Sequence, residues 1–269
     1  MLKKLTIEDY QLEYEVHGAG EPAVLIHGSA LADTYLPILS EPSLSGFKLV
    51  RYRRRGFGNC THPTSIISIG DQANDCWALM SKLNITRAHI AGHSYGGVIA
   101  LQLALDHPEA VQSLALLEPA LVGFVPHAAE FMSAIGSVIK THEKGDRRKA
   151  LEEFFLQVAG PDWRKSFDAI PGSMEMALAD IDNLFRVEIP AMGQWVFTRD
   201  DAGRIHQPIL AVVGGESAPV FHEIQNLVQS WFPHAKPVLI PRTNHMLQAV
   251  EPRALAEVLA GFWKEVPMH

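Results

Sequence analysis

Short β-branched runs that alternate with stretches of helical pattern constrain this chain more than any other feature. The runs are residues 5–7, 12–16, 23–26, 48–52, 88–91, 113–117, 209–213 and 237–240. From the third onward they are separated by segments whose apolar residues recur at helical spacing. Strands joined through helices run parallel, and a parallel sheet is covered on both faces. The expected architecture is therefore α/β, a mostly parallel eight-stranded sheet flanked by helices. Clear connecting helices are expected at 70–83, capped by Asp71 with Trp77, Leu79, Met80 and Leu83 on its apolar face, and at 96–105, stopped by His107-Pro108. A last one spans 252–265, with Pro252 in its first turn.

Between residues 117 and 209 the chain is far longer than the dozen or so residues a crossover needs. Its patterning is helical and amphipathic over 128–140, 147–158 and 173–185, with Pro161, Pro171 and Pro190 as breaks. An insertion at the carboxyl edge of such a sheet reads as a cap over a site. The expected division is a core of residues 1–119 and 206–269 and a helical cap insertion of residues 120–205.

Composition excludes several functions. With 23 basic and 30 acidic residues the formal charge is −7, which argues against non-specific binding to nucleic acid or an anionic membrane. No apolar run reaches the length of a spanning helix, and the first residues turn acidic before a signal-peptide core forms, so a cytoplasmic protein is expected. Cys60 and Cys76 lack disulfide-scaffold or zinc spacing and read as inert thiols. His142-Glu143 and His222-Glu223 have no second ligand at metal spacing, and no HExxH, P-loop or GxGxxG is present. No metal, no organic cofactor, no nucleic acid and no membrane is expected; the partner is a small-molecule substrate.

The segment that carries chemistry is Ala88-His89-Ile90-Ala91-Gly92-His93-Ser94-Tyr95-Gly96-Gly97, a strand running into Gly-x-Ser-x-Gly and then a helix. A serine hydroxyl is a poor nucleophile unless exposed, oriented and set beside a base, and a tight strand-to-helix turn meets the first two needs for Ser94. Gly92 and Gly96 supply small flanks for that turn, and Gly97 lets the helix approach the sheet.

Four landmarks in order resemble the α/β-hydrolase superfamily: His27-Gly28-Ser29 after the third strand, Arg55-Gly56-Phe57-Gly58 after the fourth, Gly92-His93-Ser94-Tyr95-Gly96 after the fifth, and Thr243-Asn244-His245-Met246 near the end. The resemblance covers essentially the whole chain. It implies a serine hydrolase acting on a small or medium carboxylic ester or lactone through an acyl-enzyme, with Ser94 as nucleophile and His245 as general base. The oxyanion would be held by the backbone amides of Ser29 and Tyr95, with the Ser29 hydroxyl a further donor or merely solvent-facing. His27 and His93 read as structural. Carbon–carbon bond hydrolases, thioesterases, lyases and small-molecule receptors that keep a triad share this constellation.

The chain departs from the family's commonest pattern in three places. Asn244 stands where glycine usually precedes the histidine, so the turn there is expected to differ. Arg53 stands where an acidic residue is common. The cluster Arg51-Tyr52-Arg53-Arg54-Arg55 is expected to pair with nearby carboxylates, with recognition of a substrate carboxylate as the alternative. Finally, Ala218 occupies the place of the usual aspartate after the seventh strand. Glu118, closing the sixth strand as the acid does in some branches of the family, becomes the candidate, with Glu216 the alternative.

Overall fold

The computed structural model describes residues 2–268. Its elements are β1 (Lys3–Ile7), β2 (Tyr10–His17), β3 (Glu21–Ile26), β4 (Phe47–Arg53), α1 (Ile69–Lys82), β5 (Ala88–His93), α2 (Tyr95–Asp106), β6 (Val111–Leu117), α3 (Ala128–Glu143), α4 (Arg147–Ala159), α5 (Trp163–Asp168), α6 (Ser173–Asn183), α7 (Ile189–Gln194), α8 (Arg199–Gly203), β7 (Ile209–Gly214), α9 (Pro219–Trp231), β8 (Lys236–Ile240), α10 (Leu247–Val250) and α11 (Pro252–Glu265). The eight strands form one sheet in the order β1-β2-β4-β3-β5-β6-β7-β8. Strand β2 is antiparallel to β1 and β4, and the remaining pairs are parallel. The eight expected strands are all present, each extended by a residue or more.

Period-two alternation divides the core. Val24, Ile26, Ile90, Leu114 and Leu116 face one side, where Leu79 of α1, Val98 of α2 and Ile224 of α9 pack. Ala23, Leu25, Ala91, Ala115 and Leu117 face the other, against Leu255, Leu259 and Trp263 of α11. Both faces are covered, so the central parallel strands β5, β6 and β7 are buried throughout.

Helix α1 corrects two local expectations. Ser68, not Asp71, is its N-cap: the Ser68 hydroxyl accepts from the Asp71 amide at 3.0 Å while the Asp71 carboxylate accepts from the Ser68 amide at 3.1 Å. This reciprocal box satisfies two orphan donors and makes Asp71 the third helical residue. Trp77 is not core. It is 40% exposed and lies flat on the His107 ring, while Ala73, Cys76, Leu79 and Met80 fill the buried face.

Helices α3 to α8 lie between β6 and β7. Pro190 does not end a helix as expected. After Asn183 the chain widens into an i→i+5 turn over Leu184–Glu188 and continues directly into α7, which carries Pro190 in its first turn, where an amide hydrogen is not needed. An aromatic cluster of Phe155, Trp163 and Phe167 holds α4 against α5. Contacts tie this segment to the sheet. The Gly58 amide donates to Asp180 at 3.0 Å, Trp195 Nε1 to Gln102 at 2.8 Å, and Asn244 Nδ2 to the Ala159 carbonyl at 2.8 Å. Among the described residues no helix is long and apolar enough to cross a membrane.

The arginines at the end of β4 pair with carboxylates. Arg51 bonds Glu15 and Asp33, Arg53 bonds Asp33 and Glu13, and Arg55 holds Asp75. Burial alone would raise the Glu15 carboxyl, but the interactions around it, the neighbouring His17 and the Arg51 hydrogen bonds and charge among them, pull it down to about 2. A carboxyl held low stabilises the fold above its unfolded pKa, ordinarily 4.5, and that contribution is lost as pH falls toward 2. Glu15→Gln should therefore flatten the fall of the urea midpoint across that window. An unchanged slope would show that the pairing does not couple to folding.

Candidate active site

The parallel strands end along one edge of the sheet, and there the backbone is bent in two adjacent places. Ser94 follows β5 at φ 53°, ψ −116°, and Glu118 follows β6 at φ 46°. Both lie in a region that costs a non-glycine residue about 1–3 kcal/mol. The surroundings hold them there: the Ser94 amide donates to the Leu117 carbonyl at 3.0 Å, and the Glu118 amide to the Val212 carbonyl at 3.1 Å. The flanking glycines are required by close approach. A Cβ on Gly92 would lie 2.3 Å from the Gly96 carbonyl oxygen, and one on Gly96 2.1 Å from that of Ile26.

Ser94 opens α2 and lines a cavity of about 440 Å³ between the sheet edge and helices α3, α4 and α7. His245, Ser29 and Tyr95 line the same cavity. Of the residues expected to act together, Glu118 alone lies behind it, almost fully buried. Its Oε1 accepts from the Gly214 amide at 2.6 Å and from the Ser217 hydroxyl at 2.5 Å. Its Oε2 lies 2.6 Å from His245 Nδ1. The alternative, Glu216, is exposed and meets the His245 loop through its amide, which donates to the Thr243 carbonyl at 2.9 Å.

His245 is held on three sides. Phe221 of α9 stacks on its ring with centroids 4.1 Å apart. His93 donates from Nε2 to the His245 carbonyl at 2.8 Å, and burial first, then the neighbouring His245, keeps His93 well below the usual histidine range and so neutral. Asn244 shapes the turn as no glycine can, its Oδ1 accepting from the Met246 amide at 2.9 Å while its Nδ2 reaches Ala159.

The amide of Ser29 is aimed by its own peptide unit. The Gly28 carbonyl accepts from His27 Nδ1 at 2.7 Å and from Arg54 Nη2 at 2.8 Å. Because that oxygen and the Ser29 N–H share one planar peptide, fixing the first fixes the second. His27 Nε2 accepts from the Arg54 amide at 3.1 Å, which leaves the ring proton on Nδ1. His27 is thus structural, as expected. Tyr95 opens α2, where first-turn amides have no intrahelical acceptor.

The rest of the cavity wall is largely apolar, with Phe131, Ile135, Phe154, Val158, Met192 and Trp195 from the inserted helices. These residues, and Glu188 among them, were not identifiable from sequence. Helical patterning shows that a face is apolar but not which residues turn toward a cavity and which toward the core. Among the described residues no group of three or more His, Cys, Asp or Glu side chains is placed to hold a metal ion.

A strained serine between a parallel strand and a helix, sharing a cavity with a histidine hydrogen-bonded to a buried carboxylate, is the arrangement of an α/β hydrolase. The family model described as alpha/beta hydrolase fold matches residues 22–252, and the chain belongs to that family. It is 26% identical to the "Putative carbamate hydrolase RutD" of Azorhizobium caulinodans, over 96% of this chain and 97% of that protein. Among solved structures it is similar to a thermophilic esterase from Thermogutta terrifontis, with a TM-score of 0.84, 19% identity and complete coverage of both chains. It is also similar to Est816, described as an N-acyl homoserine lactone degrading enzyme, with a TM-score of 0.74, 23% identity, and coverage of 97% of this chain and 100% of that one.

The close approach at the serine turn has a direct consequence. Gly96→Ala should lower the free energy of unfolding by about 3 kcal/mol or more, since backbone must move to admit the new carbon. Gly136→Ala, in open space on α3, should be neutral or stabilising by up to about 1 kcal/mol. Urea unfolding of the two variants checks this, and equal stability would contradict it.

Proposed function

We propose that this enzyme is a serine hydrolase cleaving a small or medium carboxylic ester or lactone, with residues 120–205 acting as a cap over the site. Ser94 is the nucleophile, His245 the general base and Glu118 the acid that orients it. The observation that carries this reading is the 2.6 Å contact between His245 Nδ1 and Glu118 Oε2, with Ser94 and His245 on the wall of one cavity.

The roles follow from where the protons sit. His245 Nδ1–H donates to Glu118, which leaves Nε2 free to take the Ser94 proton as Oγ attacks the substrate carbonyl. The amides of Ser29 and Tyr95 stabilise the oxyanion as the carbonyl becomes tetrahedral. Collapse expels the alcohol, which takes the proton from Nε2, and leaves the acyl group on Ser94. Water then gives a proton to Nε2 as it attacks the acyl carbonyl; collapse breaks the bond to Ser94 Oγ, which takes that proton back, and the acid leaves. A carbamate carbonyl, named for one relative, is open to the same attack. The apolar walls favour a substrate with an apolar acyl or alkyl group.

The test is a set of three variants measured on a chain-length series of esters and lactones. Ser94→Ala should abolish both turnover and labelling by a fluorophosphonate. Glu118→Gln should lower kcat on the order of a hundredfold or more with the fold retained, while Glu216→Gln stays near wild type. An active Glu118→Gln beside an inactive Glu216→Gln would reassign the acid, and a tenth of wild-type kcat in Ser94→Ala would exclude the serine mechanism.

A further inference from the structure

Among the described residues Glu188 is the one carboxylate on the cavity wall, in the wide turn between α6 and α7. It is 1% exposed. Arg54 Nη2 holds its Oε1 at 2.5 Å, and its Oε2 is buried with no hydrogen-bond partner among the described residues. Arg54 is itself fixed: it donates to Gln72 at 2.7 Å and lies over the rings of Phe57 and Tyr95. A buried, unpaired carboxylate oxygen is costly, and one that faces a cavity is an acceptor for whatever donor enters there. The same Arg54 nitrogen also donates to the Gly28 carbonyl, whose peptide carries the Ser29 amide. Glu188 and the loop bearing the Ser29 amide are therefore joined through a single nitrogen, and Glu188 lines the same cavity as Ser94 and Ser29. A negative charge on the wall of this cavity would oppose a developing oxyanion; the Arg54 charge paired with it offsets that.

We propose that Glu188 is a specificity residue for substrates that carry a hydrogen-bond donor, an amide N–H or a hydroxyl, within two or three atoms of the scissile carbonyl. This rests on the serine-hydrolase reading above and narrows its substrate class. Glu188 Oε2 accepts from that donor, while the apolar wall takes the rest of the acyl group.

The test compares three naphthyl esters of matched length, those of N-hexanoylglycine, N-hexanoylsarcosine and nonanoic acid, of which the first alone has the N–H. Wild type should prefer the glycine ester over both others by about tenfold or more in kcat/KM, the range for a hydrogen bond to a charged group. In Glu188→Gln, Arg54 claims the amide oxygen and leaves an NH₂ in place of the acceptor, so the preference should disappear. Wild-type turnover of all three esters at equal kcat/KM would overturn the inference while leaving the serine mechanism standing. So would a glycine-ester preference that survives intact in Glu188→Gln. Failure of wild type to hydrolyse any of them would sink the underlying reading instead.

Discussion

The carboxyl edge of the sheet is organised around the Glu118 carboxylate. A glutamate excluded from solvent at the end of a parallel strand is tolerable only if its oxygens are satisfied. Here three groups from three places converge on it: the Gly214 amide at the end of β7, the Ser217 hydroxyl in the following turn, and His245 Nδ1 in the loop after β8. One carboxylate thus ties β6 to β7 and fixes the histidine ring, while its own strained φ is held by Val212. The turn after β7 keeps a role without directing a carboxylate at His245, since the Gly214 amide and Ser217 hydroxyl hold one supplied by the neighbouring strand.

The inserted helices are part of the same construction. Pairing at the end of β4 fixes the sheet edge, and Arg54 carries that order upward by bonding both the Gly28 carbonyl and Glu188. Asn244 does the same from the other side, joining the His245 loop to the end of α4. The cavity is therefore bounded by groups whose positions are set from both the sheet and the insertion. That rigidity is what directed hydrogen-bond donors at a reacting carbonyl require.

Much of this was legible in the sequence because it rests on local rules. Short β-branched runs and crossover helices specified the sheet, and Gly92-His93-Ser94-Tyr95-Gly96 located the serine turn, since no Cβ fits where Gly96 meets the Ile26 carbonyl. The absence of an acidic residue at Ala218 pointed to Glu118, which the geometry places against His245. What the sequence did not reveal is partly local and partly a matter of long-range packing. Ser68 displaced Asp71 as a cap because two residues can exchange bonds in the folded turn. Pro190 was accommodated by a widened turn that has no sequence signature. The pairing of Arg54 with Glu188 spans 134 residues and appears only once the insertion lies over the sheet.

The central claim is that an acyl group passes through Ser94 with His245 and Glu118 behind it. Acid quenching of the enzyme during steady-state turnover of an activated ester, followed by peptide mapping by mass spectrometry, tests it most directly. The account predicts one acyl adduct, on the peptide bearing Ser94, which accumulates further when Glu118→Gln slows its hydrolysis. Turnover with no covalent adduct in either protein, or an adduct confined to another residue, would contradict it.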